Sequence, residues 1–314
     1  MSDASGNLLV NHGVMRMTQG PHPAHVQSGR IAARVLREAC EMVRPGVKVI
    51  SICTRVERRI VELGGRPAFP CNVSINEVAS HYTSPRNDPS TIPDFGLVKI
   101  DVGVHVDGYI ADTARTVDID GTLEGFIAAT DEALDEAIRF IRPGVKLGDV
   151  GRVIERVIKD YGLKPVKELT GHSLKRYRLH AGKKVPNTRT RDSTVVEAGE
   201  YFAIEPFATT GSKIVDSKNV YIFINTGRKE PLKGVTEKLR LHLLKHYGSL
   251  PFASRWIGTS HKGIDVTQEL ARLLKAKAIR GFPVLLEKGA RPVCQSEHTV
   301  FVGENRTIVL TRPN

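Results

Sequence analysis

Residues 98–116, VKIDVGVHVDGYIADTART, constrain the fold more than any other stretch of the chain. Asp107-Gly108 sits between two runs rich in β-branched residues, the pattern of a hairpin closed by a two-residue turn. With that turn, Val106 pairs with Tyr109 and Gly103 faces Asp112. Side chains alternate along a strand, so Asp101, Gly103 and Asp112 share one face while Val102, Val104 and Val106 fill the other. Asp101 and Asp112 become diagonal neighbours, roughly 7–8 Å apart at the backbone, and Gly103 between them leaves room. Two carboxylates on strands otherwise built of Val and Ile repel each other and resist desolvation unless a cation sits between them. The pair outlines a metal site. Taken singly, each Asp also fits an ordinary turn or solvated strand position, which is the reading that suffices for Asp107.

A repeat sets the wider architecture. MVRPGVKVISICTRVERRIVELG (42–64) returns as FIRPGVKLGDVGRVIERVIKDYG (140–162) at an offset of 98. Each copy reads as the end of one helix, a Pro-Gly turn and a second helix with apolar residues at helical spacing. Helices are expected over about 23–43 and 49–63, and again over about 123–141 and 147–161. A helix pair used twice, each time followed by strands, predicts a pseudo-symmetric α+β domain with its site at the seam. Further strands are expected at EAGEYFAIEPF (197–207), CQSEHTVFV (294–302) and TIVLT (307–311). Residues 213–288 differ in character: two helical segments near 235–247 and 266–279 suggest a small helical insertion. The organisation expected is a flexible N-terminus at 1–22, a catalytic domain from 23–212 and 289–314, and the insertion between.

Several classes are excluded. No apolar run approaches the ~18 residues of a membrane span, and the opening stretch lacks a signal-peptide core. Cys40, Cys53, Cys71 and Cys294 form no CxxC pair, so reduced thiols in the cytoplasm are expected rather than a disulfide frame or a thiolate zinc site. The net charge of +12, with seven positive residues in KRYRLHAGKKVPNTRTR (175–191), suits polyanionic surroundings such as RNA or the ribosome surface. It serves solubility equally well.

Polar groups set on apolar strands supply the chemistry: Asp101, Asp112, Glu205 and Glu297, with an imidazole from His172. Four carboxylates and one histidine suit a pair of divalent ions such as Co, Mn, Fe or Zn, and two such ions bridged by carboxylates turn a water into a nucleophile at neutral pH. Other candidates fail. His105 lies beside the turn, His298 alternates away from Glu297, and nothing in the sequence lowers the pKa of Cys71 to make a Cys71–His81 nucleophile pair.

In order and spacing, FPCNVSINEVASHY, KIDVGVHVDGYIADTA, GHSLKRYRLHAGKKVPN, FAIEPF and EHTVFV resemble the methionine aminopeptidases of the type II, archaeal-like subfamily. The similarity spans about residues 24–314. It implies the "pita-bread" α+β fold, whose duplication fits the repeat, and a type II insertion before the last ligand strand. It implies metal ligation by Asp101, Asp112, His172, Glu205 and Glu297, with Asp112 and Glu297 bridging two ions and a hydroxide. Glu205 would also shuttle a proton. His81 and His180 would contact the substrate and its tetrahedral intermediate, and Phe69 and Leu179 would line the methionine pocket. The implied substrate is the N-terminus of a nascent polypeptide with a small second residue, and the implied state a monomer. The long charged N-terminal arm of eukaryotic members is not matched. Two rivals remain at this stage, a proline-specific peptidase on the same scaffold and a catalytically silent RNA- or ribosome-binding relative.

Overall fold

The computed structural model of the chain describes residues 20–257 and 265–312. The first half runs α1 (Pro23–Cys40), α2 (Val49–Glu62), β1 (Arg66–Pro67), β2 (Asn72–Ile75), β3 (Val78–Ser80), β4 (Leu97–Val106) and β5 (Tyr109–Asp118). The second repeats the plan with α3 (Glu124–Phe140), α4 (Leu147–Asp160), β6 (Lys164–Pro165), β7 (Thr170–Leu174), β8 (Lys184–Pro186), β9 (Tyr201–Ile204) and β10 (Phe207–Thr209). Next come β11 (Ile214–Asn225), α5 (Gly234–Tyr247), β12 (Phe252–Ala253), α6 (Ser254–Ile257), α7 (Val266–Lys275) and β13 (Ile279–Glu287). The chain closes with β14 (Val293–Gln295), β15 (His298–Val302) and β16 (Thr307–Val309).

The duplication is structural. The offset of 98 between the Arg-Pro-Gly-Val-Lys motifs also carries α2 onto α4, β1 onto β6 and the start of β2 onto the start of β7. Each half has its own apolar core. Ile52, Val56 and Ile60 of α2 recur at helical spacing and pack on Val98, Ile100 and Val102 of β4. Leu147, Val150 and Ile154 of α4 pack in the same way with Phe202, Ile204 and Val300.

The β4–β5 hairpin has the register expected, from Val106↔Tyr109 through Gly103↔Asp112 to Leu97↔Asp118. Asp107 and Gly108 both take positive φ, 49° and 85°, as their turn requires.

Two expectations are corrected. The segment 213–288 is not simply helical: β11 and β13 are long antiparallel strands, and β13 also pairs with β3 of the first half. The run VYIFI within β11 has strong β propensity, so the helices α5 and α7 sit between two strands that extend the catalytic sheet system. The N-terminal expectation lies outside the described residues as far as residue 19, but residues 20–22 are placed. His22 Nδ1 accepts a hydrogen bond from the Ala24 N–H at 3.2 Å, capping α1, and its ring stacks on Tyr109 at 3.9 Å.

Candidate metal centre

Asp101 and Asp112 reach the seam from the hairpin, as the register dictates. Glu205 and Glu297 arrive differently. Each was expected within a continuous strand, yet each sits at a break. β9 pairs with β15 in one sheet, β10 pairs with β14 in another, and the two chains cross between sheets side by side. Glu205-Pro206 and Ser296-Glu297 occupy the crossing, where Pro206 has no N–H to offer a ladder. The Glu297 N–H bonds the Ala114 carbonyl at 3.0 Å and the Thr113 hydroxyl bonds the Glu297 carbonyl at 2.8 Å. These contacts pin Glu297 beside the Asp112 strand.

The halves mirror each other here. Asn72 pairs with Asp101 across β2 and β4. The β7–β9 register, continued one step past the end of β9, sets Glu205 opposite Thr170, the counterpart of Asn72 under the 98-residue offset. Asp101 and Glu205 are therefore equivalent positions of the two repeats.

All nine residues expected at the site line one cavity: Phe69, His81, Asp101, Asp112, His172, Leu179, His180, Glu205 and Glu297. Ligand atoms of Asp112, His172 and Glu297 lie within 4.8 Å of one another. His172 Nε2 stands 3.5 Å from Asp112 Oδ2 and 3.8 Å from Glu205 Oε1. Asp101 accepts from Asn72 Nδ2 at 3.3 Å.

Electrostatics argue for cations. Burial raises the Asp101 carboxyl to about 7 against the pull of Asn72. Asp112, Glu205 and Glu297 are pushed well above the usual carboxylate range, first by burial and then by one another's charge and that of Asp101. Burial, followed by His180, lowers His172 to about 3, so its ring is neutral and able to ligate. Asp101 Oδ1 and Asp112 Oδ1 are buried and have no hydrogen-bond partner among the described residues. Orphaned buried carboxylate oxygens facing further carboxylates and a neutral imidazole fit divalent ions of the borderline or hard kind.

The residues match metallopeptidase family M24 over 24–304. The chain belongs to that family. This metallopeptidase is 45% identical over 293 residues to the methionine aminopeptidase of Methanothermobacter thermautotrophicus, covering 92% of this chain and 98% of the relative. In fold it is similar to a thermophilic Arx1, with TM-score 0.82, 19% identity and coverage of 93% of this chain and 90% of that one. It is also similar to the methionine aminopeptidase of Thermotoga maritima, with TM-score 0.67, 21% identity and coverage of 93% and 98%. The pseudo-symmetric α+β domain expected from the repeat, and the pita-bread fold that the resemblance implies, are what is found.

The cavity also holds residues that the sequence alone did not single out. Gln295 Nε2 bonds Glu297 at 3.2 Å and Glu205 at 3.4 Å, so it bridges the two crossing carboxylates. Asn72 and Gln295 share a legible signal, an amide on an apolar strand two residues from, or directly across from, an acid. Phe282, Ile222 and Pro251 come from the 213–288 segment and complete the cavity wall; only the fold places them there. His81 has a left-handed φ of 65°, and its Nδ1 lies 3.2 Å from the Pro283 carbonyl.

Gly103 is reassigned. Its face was expected to leave room for an ion, but a Cβ there would overlap the ring of Phe69 and stand 2.8 Å from Cζ. The absent side chain makes space for the wall of the apolar pocket, where Phe69 packs with Leu179, Ile110 and Leu250. The rejected candidates stay rejected. His105 Nδ1 accepts from the Gly108 N–H at 3.2 Å within its own turn, and His298 Nδ1 pairs with the Thr311 hydroxyl at 2.9 Å. The Cys71 thiol is held well above its usual range, chiefly by its contact with Cys53 and by burial.

Proposed function

We propose that this chain is a methionine aminopeptidase that hydrolyses the first peptide bond of nascent polypeptides whose second residue is small. Asp101, Asp112, His172, Glu205 and Glu297 hold two divalent ions in this reading. The observation that carries it is the convergence of those five groups beside a small apolar pocket, with about 70 Å³ of open space left in the cavity. Bound divalent ions supply Lewis acidity at the first carbonyl and lower the pKa of a water.

The protein's own groups do the rest. Phe69 and Leu179 hold the methionine thioether against apolar surface. Glu205, at the edge of the cavity, would take the proton that the attacking water sheds and pass it to the leaving amine. His81 is neutral because burial lowers its pKa. The Pro283 carbonyl can only accept, so the proton of His81 sits on Nδ1 and Nε2 faces the substrate as an acceptor for its peptide N–H. His180 is the remaining donor for the developing oxyanion; its ring makes no hydrogen bond among the described residues. Crowding by Phe282 and the two histidines restricts the second residue.

No helix of the described residues is long and apolar enough to cross a membrane. A monomer working near the ribosome in the cytoplasm fits the substrate and the positive field. The test offers Met-Ala-Ser and Xaa-Pro peptides with Mn or Co, with and without chelator. Cleavage of the first alone, abolished by chelator, is expected. Cleavage of Xaa-Pro, or inertness with RNA binding, would replace this reading with one of its rivals.

A further inference from the structure

Beyond the cavity wall stand two cations that the reaction does not use. Lys184 of β8 pairs directly with His172 of β7. Cross-strand partners project from the same face, so the ammonium rises from the wall that carries His172. Arg280 lies two residues before Phe282 on β13, hence on the same face as that ring. Its guanidinium stacks 5.2 Å from the Phe282 centroid. His180 lies between them, 4.5 Å from the His172 ring and 6.3 Å from the Phe282 ring. Both side chains are exposed.

Their neighbours show that pairing was available. Lys183 is tied to Glu197 at 3.2 Å and to Glu200 at 2.6 Å. Neither Lys184 nor Arg280 has a carboxylate within ion-pair reach among the described residues. The pair flanks the His180 side of the mouth. On the His81 side the facing charge is Asp216.

Resting on the aminopeptidase reading above, we propose that Lys184 and Arg280 form an anionic subsite for the downstream part of the substrate, selecting chains with Asp or Glu at the third to fifth residues. In this proposal the bound chain runs out extended past His180, advancing about 3.3 Å per residue. The cations beyond His180 and Phe282 are then level with those positions. The attraction acts through solvent, so it is modest and screened by salt.

The test compares Met-Ala-Ser-Asp-Asp, Met-Ala-Ser-Ser-Ser and Met-Ala-Ser-Lys-Lys, in wild type, Arg280→Glu, Lys184→Glu and the variant carrying both, with the neutral peptide as the reference for each protein. Wild type is expected to show a kcat/KM ratio, acidic over basic, of roughly 3–10 at low ionic strength, carried by KM and collapsing towards one at 1 M salt. Each reversal is expected to lower the ratio and the double reversal to invert it. A ratio of one or less in wild type, or a ratio the reversals leave alone, overturns the subsite. Failure to cleave even the neutral peptide with metal present strikes instead at the aminopeptidase reading.

Discussion

Gly103→Ala tests the link between the hairpin and substrate choice. The added methyl would overlap Phe69 and sit 2.8 Å from its Cζ, well inside the ~3.5–4.0 Å of an ordinary carbon contact. The ring must retreat by more than about 1 Å. Ala68, Ile110, Leu174 and Leu250 belong to the same packed cluster and the ring lines the cavity, so it is expected to move into the open space there. Overpacking of this kind costs about 1–3 kcal/mol. If that strain is met when methionine enters, kcat/KM on Met-Ala-Ser falls roughly 10–100-fold, mostly through KM. Metal content is expected to stay at the wild-type level, because the atoms nearest the methyl belong to Phe69. Phe69→Leu in the same chain relieves the overlap and recovers part of the loss. Steady-state kinetics paired with elemental analysis decides. Loss of bound metal with KM unchanged would mean the space over Gly103 belongs to an ion after all, and the reassignment of that face would be wrong.

Asp112→Ala and His172→Ala are expected to abolish turnover while circular dichroism stays native, and retained activity in either would contradict the ligand assignment. His180→Ala lowers turnover with metal content kept; loss of metal would assign it a different role. In ion-free protein, thermal stability is expected to fall as pH rises from about 4 to about 7. Asp101 titrates at about 7 when folded and near 3.9 unfolded, so the folded state binds more protons across that window. Asp101→Asn or added Mn flattens the profile, and an identical slope in all three samples refutes the electrostatic account. Arg255→Ala leaves Glu57 buried opposite Trp256 and Cys71 without its cation, which is expected to cost about 3–5 kcal/mol. An unchanged melting temperature would show that this latch between α6 and α2 carries no stability.

What could be read from the sequence was local or repeated. Asp107-Gly108 fixes a register, and the register alone brings Asp101 and Asp112 together. The Arg-Pro-Gly-Val-Lys repeat exposes the two-fold plan because its copies keep constant spacing. Glu205 and Glu297 were picked out as acids on apolar strands, yet their placement at a paired strand break depends on sheets formed by residues far apart in the chain. Pro206 was the one local hint. The strands β11 and β13 were hidden by the leucine-rich helices between them, and β13 reaches the site only by pairing with β3, about two hundred residues earlier. The Phe69 ring over Gly103 and the Pro283 carbonyl on His81 are contacts of the same long-range kind.

The most direct measurement is a metal titration of ion-free protein by calorimetry, with cleavage of Met-Ala-Ser followed on the same samples. Binding of two Mn or Co ions per chain, with activity rising from zero as they bind and Asp112→Ala losing both, is the predicted result. Full cleavage in the ion-free protein, or saturating ions that bind without restoring any, would contradict it.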